Sequence, residues 1–192
     1  MARAGLTRES VVDIALKLID ADGTAGFGSI TLSAVAGRAG VAVPSLYKHV
    51  ASLGDLKQAM RVAAVRELTR VSAEAVMGRS GDDAVTALAH AMRGFARQHP
   101  ARYWAVQTGG GLADDQEFQD AAAETLRVVE GALRGYALPA DRLVDAIRAL
   151  RSAMHGFVML ELGGGFGLPD DLDDSFDVLI RLLTRGLSTV SD

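Results

Sequence analysis

The chain has 192 residues, of which 49% are hydrophobic, a formal net charge of −4 and no cysteine. This composition supports one sizeable core or a small domain joined to a larger one, and it excludes a disordered chain, a disulfide framework and a thiolate zinc site. No apolar run reaches the roughly 20 residues of a membrane helix, and the start lacks the apolar stretch of a signal peptide, so we expect a soluble cytoplasmic protein.

The first predicted helix begins after Thr7, whose hydroxyl can cap it, and ends at Gly23. Arg3 precedes this helix and Arg8 opens it. Both could reach DNA phosphates, but we expect them in a solvated arm. Residues 1–60 carry six basic and five acidic side chains, whereas the remainder carries 14 basic and 19 acidic ones. The acidity that argues against a nucleic-acid-binding protein therefore belongs to the C-terminal part.

The segment 30–50 predicts two short helices joined by a tight turn. Thr31 can cap the first helix, and Gly40 can adopt the positive φ that ends it. Leu46 and Val50 are four residues apart, so they share the inner face of the second helix. This pattern is typical of a helix-turn-helix, which presents its second helix to the DNA major groove, although an ordinary helical hairpin shares the outline.

The same segment resembles the TetR family of bacterial transcriptional repressors, whose signature combines a threonine, an Ala-Gly-Val turn and a Leu-Tyr-x-His motif. The matching residues are Thr31, Ala39-Gly40-Val41 and Leu46-Tyr47-Lys48-His49-Val50. Two positions depart from the pattern. Val50 replaces an aromatic residue, and Leu53 replaces a lysine that would contact phosphate.

The resemblance implies a helix-turn-helix domain over residues 1–53 and a helical effector-binding and dimerisation domain over residues 54–192. It also implies a homodimeric repressor that leaves a palindromic operator of double-stranded DNA when a small molecule binds. The second helix lacks Arg, Asn and Gln, so we expect few hydrogen bonds to bases. The residues predicted to face DNA are Thr31, Ala42, Val43, Pro44, Ser45, Tyr47, Lys48 and His49.

Helical periodicity continues beyond this segment and predicts an all-α protein of about nine helices. Long helices are predicted over residues 55–77 and 82–98, and a short one over residues 101–107. Further helices are expected after Asp115, from Pro139 and from the run Asp170–Asp174. The segment from Leu150 to Leu187 also resembles the C-terminal domain of one TetR subgroup.

Aromatic and methionine side chains concentrate around the short helix that Pro100 opens, and they predict an apolar pocket for a largely hydrophobic effector. Each of them is equally compatible with a plain core position. We expect a bound effector to shift the short helix against the long helix from Asp55. The predicted lining is Met92, Phe95, Tyr103, Trp104, Gln107, Leu126, Met154, His155 and Phe157.

The last two helices carry apolar stripes that one chain is not expected to cover alone, which predicts a four-helix interface between two copies. The predicted interface residues are Leu143, Ile147, Leu150, Phe176, Leu179, Ile180, Leu183 and Leu187.

Two other functional classes stay open. One is a small all-α enzyme that uses the run Asp170–Asp174 with Mg²⁺, although this run lies where a helix N-terminus favours carboxylates. The other is a purely structural helical dimer. The sequence has no His-Glu-x-x-His motif and no nucleophile elbow, so we expect no catalytic residue, no metal site and no cofactor.

Overall fold

The computed structural model describes residues 5–108 and 115–190. Within these ranges the chain forms ten α-helices and two short 3₁₀ helices and no strand, which confirms the predicted all-α class. None of the described helices is long and apolar enough to cross a membrane. The α-helices are α1 (Arg8–Asp20), α2 (Gly26–Ser29), α3 (Leu32–Ala39), α4 (Val43–Leu46), α5 (Leu53–Val76), α6 (Gly81–Gln98), α7 (Pro100–Gln107), α8 (Gln116–Leu133), α9 (Leu143–Leu162) and α10 (Leu172–Val190).

Two helix boundaries differ from the predictions by three or four residues. α1 ends at Asp20 because Gly23, with a φ of 59°, begins a separate 3₁₀ turn. α9 begins at Leu143 rather than at Pro139, since the Arg142 N–H donates to the Pro139 carbonyl at 2.9 Å and closes a turn before the helix. Both differences arise from local turns that interrupt an otherwise helical pattern.

Side-chain caps determine where the N-terminal helices begin. Thr7 Oγ1 accepts from the Ser10 backbone N–H at 3.1 Å, while Ser10 Oγ accepts from the Thr7 N–H at 2.8 Å, and together they form a capping box. Thr31 caps α3 in the same way by accepting from the Ala34 N–H at 3.2 Å. The structure confirms both caps as predicted from the sequence.

Cα proximity divides the chain into two compact units, of which the first comprises Met1–Glu67 and Gln98–Ala121. α7 belongs to this unit because Ala101 and Ala105 are buried in the same cluster as the helix-turn-helix core. The short helix therefore packs against α1 and α2. The larger members of this core are Val11, Leu16, Ile19, Phe27, Ile30, Val35, Leu46, Val50, Leu56 and Met60.

The second unit comprises Leu68–Arg97 and Ala122–Asp192. Its main core joins α6, α9, α10 and the end of α8. The two units are defined by proximity and do not test the expected domains over residues 1–53 and 54–192, so those domain bounds stay a prediction. The buried residues of this core are Val85, Ala89, Leu133, Tyr136, Ala146, Leu150, Met154, Phe176, Ile180 and Leu187.

A buried ion pair lies inside the second unit. Arg93 on α6 is only 4% exposed, and its Nε and Nη2 donate to the two carboxylate oxygens of Glu161 at 2.8 and 2.7 Å. Arg93 Nη2 also lies 2.8 Å from Asp173 Oδ1. The guanidinium carbon is 5.4 Å from the ring centroid of Phe157 and 4.8 Å from that of Phe176. One side chain thus ties the end of α9 and the start of α10 to α6.

The aspartate run caps α10, as its position predicts. Asp171 Oδ1 accepts from the backbone N–H groups of Asp173 at 2.6 Å and Asp174 at 3.1 Å. The hydrogen bond from Asp174, followed by that from Asp173, lowers the pKa of the Asp171 carboxyl. Asp173 also pairs with Arg93 and with Arg97, the latter at 3.3 Å. The carboxylates of Asp171 and Asp173 therefore hold the helix and its neighbours together.

Candidate nucleic-acid interface

The turn between α3 and α4 depends on Gly40, which has a φ of 69°. This left-handed conformation strains a residue that carries a side chain, so glycine is favoured at this position. The following N–H, that of Val41, donates to the Ala36 carbonyl at 3.0 Å and closes the turn. The predicted helix-turn-helix geometry is therefore present.

α4 is a short helix with one buried face. Its regular part is followed by a turn in which the Val50 N–H donates to the Leu46 carbonyl at 3.0 Å. Pro44 lies in the first turn, where a missing N–H costs no helical hydrogen bond. Leu46 and Val50 are buried, so the core holds the inner face of this helix.

The opposite face of α4 is open to solvent, and Tyr47 is its most prominent large side chain, 55% exposed. None of the eight residues predicted to face DNA is buried. Their contacts with DNA stay a prediction. Ala42, Pro44, Tyr47, Lys48 and Thr31 are exposed, and Val43, Ser45 and His49 are half-buried.

Arg8 is not a free arm residue, contrary to the sequence-based expectation, while Arg3 lies outside the described residues. Arg8 Nη1 and Nη2 donate to Asp55 Oδ2 and Oδ1 at 2.9 and 2.6 Å, and Nη1 also donates to the His49 carbonyl at 3.0 Å. Asp55 Oδ2 in turn accepts from the Ala51 N–H at 2.7 Å. These partners are far apart in sequence, so no local pattern could have revealed the network.

Two cations lie over the ring of Phe27 in α2. Lys57 Nζ is 5.6 Å and the Arg61 guanidinium carbon is 5.1 Å from the ring centroid. Lys57 also donates to the Gly28 carbonyl at 3.1 Å. Desolvation lowers the pKa of the Arg61 guanidinium, which nevertheless stays charged at physiological pH. The sequence did not predict this contact, which holds α2 against α5.

The residues predicted to line an effector pocket are divided between the two units. Tyr103, Trp104 and Gln107 lie on α7 in the first unit, where Tyr103 is buried and Trp104 is 38% exposed. Of the six in the second unit, Met92, Met154 and Phe157 contact one core cluster, Phe95 is buried, His155 is half-buried and Leu126 is exposed. The pocket itself stays a prediction.

His155 is the polar member of that set in the second unit. Burial, followed by the positive charge of Arg151, lowers the pKa of the His155 imidazole. The ring is therefore neutral near neutral pH, where it can donate one hydrogen bond and accept another.

The residues predicted for the dimer interface fall into two groups. Leu150, Phe176, Ile180 and Leu187 are buried in the core of their own chain, and Leu150 and Leu187 also line a groove between α9 and α10; their part in an interface stays a prediction. Helical periodicity identifies an apolar face but does not distinguish residues turned towards the chain's own core from those at its margin. Leu143, Ile147, Leu179 and Leu183 are half-buried and stay candidates for the interface.

The outer surfaces of α9 and α10 carry a different set of apolar residues. Leu182 is 62% exposed, and a groove of about 590 Å³ lies beside it between the two helices. Arg142 and Asp145 contribute charges to the groove, whereas most of its lining is apolar. The large exposed apolar residues of the two helices are Val144, Leu160, Val178, Leu182 and Val190.

Residues 85–183 match the family model described as "Tetracyclin repressor-like, C-terminal domain". Two named relatives extend the similarity to most of the chain. The HTH-type transcriptional regulator Rv0681 of Mycobacterium tuberculosis is 36% identical over 93% of this chain and 81% of its own length. The HTH-type transcriptional regulator YobS of Bacillus subtilis is 31% identical over 96% of this chain and 94% of its own length.

Solved structures show the same fold. The transcriptional regulator SCO7222, a TetR from Streptomyces coelicolor, has a TM-score of 0.74 and 19% identity over 98% of this chain and all of its own. TetR-Q116A from Acinetobacter baumannii, in complex with minocycline, has a TM-score of 0.70 and 20% identity over 98% of this chain and 99% of its own.

Proposed function

Because the chain belongs to the TetR family of HTH-type transcriptional regulators, we propose that it is a cytoplasmic repressor released from a palindromic operator by a small, largely hydrophobic effector. The observation that carries this proposal is the shared core of the first unit. Leu46 of the recognition helix α4 and Ala101 and Ala105 of α7 are buried in one cluster. A displacement of α7 therefore acts on the same packed side chains that orient α4.

The outer face of α4 supports a readout in which hydrogen bonds to bases are few. Ala42, Val43 and Pro44 present apolar surface of the kind that contacts thymine methyl groups. Lys48, in the turn that follows α4, is the only long basic side chain of residues 42–50 and is the candidate for guanine. Thr31 and Tyr47 are exposed, and their hydroxyl groups can bind DNA phosphates. Such contacts fix the register of the protein on the duplex but do not read the base sequence.

A homodimer is the assembly that places two such helices on one palindrome. The exposed apolar side chains of α9 and α10, with the groove beside Leu182, form a surface of the type that a second copy covers. Two α4 helices that read successive major grooves on one side of the duplex lie about 34 Å apart.

The effector is proposed to bind among the helices of the second unit. A small-molecule ligand is supported by the Acinetobacter baumannii TetR variant of the same fold, which was solved with minocycline. Met154, His155 and Phe157 on α9 combine apolar surface with a neutral imidazole. α6 leads into α7 through His99 alone, so a change in α6 has a short covalent route to α7.

The alternative of a Mg²⁺-dependent enzyme loses its main support. Asp171 accepts hydrogen bonds from two backbone N–H groups at the start of α10, and Asp173 pairs with Arg93 and Arg97. These carboxylates are engaged in capping and ion pairing, as the helix-terminus interpretation predicts.

Footprinting on the DNA that flanks the chain's own gene tests the proposal, because repressors of this kind are commonly encoded beside what they control. We expect protection of a palindrome whose half-sites are spaced by about one helical turn or a multiple of it. A variant with both Tyr47→Phe and Lys48→Ala should lose most of this protection while keeping the helical circular dichroism of the wild type. Protection that is equal for both proteins would refute the assignment of α4.

A small-molecule screen on the protected fragment tests the second half of the proposal. An effector should weaken DNA binding, and DNA should weaken effector binding by the same factor, since the two equilibria are linked. The library should include apolar and aromatic compounds. If none of them changes the affinity for the operator, the proposal that a small molecule controls this regulator is wrong.

A further inference from the structure

Arg8 and Asp55 join three segments of the first unit that surround the end of the recognition helix. Arg8 is the first residue of α1, and Asp55 lies in the first turn of α5. Between them lie the carbonyl of His49, which accepts from Arg8, and the N–H of Ala51, which donates to Asp55. Both backbone groups belong to the segment that connects α4 to α5.

We propose that Arg8 and Asp55 are positioning residues that set the orientation of the recognition helix without contacting DNA, an inference that rests on the proposed DNA-binding function. The geometry is that of a paired fork. Two guanidinium nitrogens meet two carboxylate oxygens at 2.6 and 2.9 Å. Charge-assisted bidentate pairs of this kind fix the relative orientation of the two side chains as well as the distance between them.

The recognition helix needs such support because it is short. α4 has only four regular helical residues, and a helix of this length is not stable by itself. Leu46 and Val50 hold its inner side, but the backbone of residues 47–51 is not in a regular helix. Tyr47, Lys48 and His49, three of the predicted DNA-facing residues, are in this segment. Loss of its backbone hydrogen bonds would therefore move the residues that contact DNA.

A direct phosphate contact by Arg8 is the competing interpretation, because the Arg8 side chain is 45% exposed. Removing the negative charge of Asp55 distinguishes a phosphate contact from a positioning role. If charge alone mattered, removing a negative charge near the duplex would strengthen DNA binding. If the pair positions α4, the same change weakens binding, because an amide has no negative charge and only one acceptor oxygen, so the two-oxygen pairing with Arg8 is lost. Asp55→Asn therefore has opposite effects under the two interpretations.

The test measures the affinity of the full-length protein for its footprinted operator by fluorescence anisotropy, at several salt concentrations. We expect Asp55→Asn to bind about tenfold more weakly, the equivalent of one lost charge-assisted interaction. Asp13→Asn is the matched control, because Asp13 is an exposed acid of the same unit that pairs with Lys17 on α1. It removes the same charge and should leave affinity unchanged or slightly higher.

Two further variants separate positioning from charge. Arg8→Lys keeps the positive charge but cannot form the fork, so it should weaken binding with little change in the salt dependence. The double variant Arg8→Gln with Asp55→Asn should bind about as weakly as Asp55→Asn alone, because both changes remove one interaction. Thermal unfolding of each variant establishes that the assay temperature lies below its transition.

Several results would overturn the inference. Asp55→Asn binding as tightly as the wild type, or more tightly, would show that the pair does not position α4. An Arg8→Gln variant whose salt slope falls by about one, with effects that add to those of Asp55→Asn, would make Arg8 a phosphate contact. Failure of the wild type to bind any DNA would overturn the proposed function as well, whereas the first two results leave that function intact.

Discussion

Arg102 on α7 forms a bidentate ion pair with Asp20 at the end of α1, with Nε to Oδ1 at 3.0 Å and Nη2 to Oδ2 at 2.6 Å. The same guanidinium donates through Nη1 to Glu67 on α5 at 2.5 Å. Arg102 is largely buried, and both carboxylates are less than one-third exposed. One side chain of α7 therefore holds the helices on either side of the helix-turn-helix.

Arg102→Met should destabilise the protein and weaken the coupling between effector and DNA. Methionine keeps much of the aliphatic volume but removes the guanidinium that pairs with both partly buried carboxylates, of which Asp20 keeps the His99 ring at 3.4 Å. We expect this to cost about 2–3 kcal/mol of unfolding free energy. Urea denaturation measures this loss. The effector should also release less DNA at saturation, because α7 no longer holds α1 and α5 together.

Arg66→Met is the control for Arg102→Met. Arg66 on α5 pairs with Glu117 at 2.9 Å, but both side chains are more than half exposed. A surface pair of this kind contributes less than about 1 kcal/mol. Equal destabilisation by the two variants would show that Arg102 has no special role in joining α7 to its neighbours.

Arg93→Met should be among the most destabilising single changes in the second unit. Glu161 is buried against Arg93, and removal of one partner of a buried pair costs about 3–5 kcal/mol. Adding Glu161→Leu should recover most of that loss, because no uncompensated buried charge remains. Chemical denaturation of both variants measures the recovery. A double variant less stable than Arg93→Met would indicate that the ion pair itself, and not the unpaired charge, decides stability.

Local chemistry made several features of the fold predictable. Thr7, Thr31 and Gly40 act within three or four residues of their own position, so caps and turns could be read directly from the sequence. The buried face of α4 followed from the spacing of Leu46 and Val50. The boundary of α9 was harder, because the turn at Pro139 continues the helical pattern without being part of the helix.

Long-range pairing was not predictable in the same way. Arg8 with Asp55 and Arg102 with Asp20 join residues that are distant in sequence, and no periodicity relates them. Exposure was also ambiguous. Ile180 and Leu182 are two apart on α10 and face opposite sides of the helix, so both sides are apolar there; Ile180 is buried in the chain's core and Leu182 is largely exposed. Only the three-dimensional packing distinguishes a core position from a surface available to a partner.

Leu182→Glu should convert the proposed dimer into a monomer without unfolding the chain. Leu182 is exposed beside the apolar groove, so a carboxylate there has no cost in the isolated chain but would be buried without a partner in a dimer. Arg181→Gln is the matched control because it changes net charge equally and Arg181 does not line the groove. Light scattering at micromolar concentration measures the mass. A wild-type monomer, or a dimeric Leu182→Glu variant, would rule out this surface as the interface.

Acid should weaken the structure around Asp55 in a way that Asp55→Asn abolishes. The hydrogen bond from Arg8 holds the pKa of the Asp55 carboxyl below its ordinary value. A depressed carboxyl pKa contributes stability above the unfolded pKa of about 4, and that contribution is lost as pH falls through the folded value. Unfolding measured between pH 7 and pH 2 should therefore show a shallower decline for Asp55→Asn than for the wild type. Parallel curves would contradict a role for this carboxylate in acid stability.

Tyr47 and Lys48 should affect operator binding differently. Tyr47→Phe removes only the hydroxyl proposed to hold a phosphate, so it should weaken binding to every sequence by a similar factor. Lys48→Ala should relax the preference at one base pair if Lys48 reads guanine, or lower the salt slope by about one if it holds a phosphate. Lys17→Ala serves as the control, since Lys17 pairs with Asp13 on α1 and is not predicted to face DNA. Anisotropy titrations on the operator and on single-base variants, at several salt concentrations, measure both quantities. Unchanged affinity of Tyr47→Phe would show that the Tyr47 hydroxyl does not bind a phosphate. Unchanged affinity of Lys48→Ala would show that the base sequence is read by the apolar surface of Ala42, Val43 and Pro44 and not by Lys48.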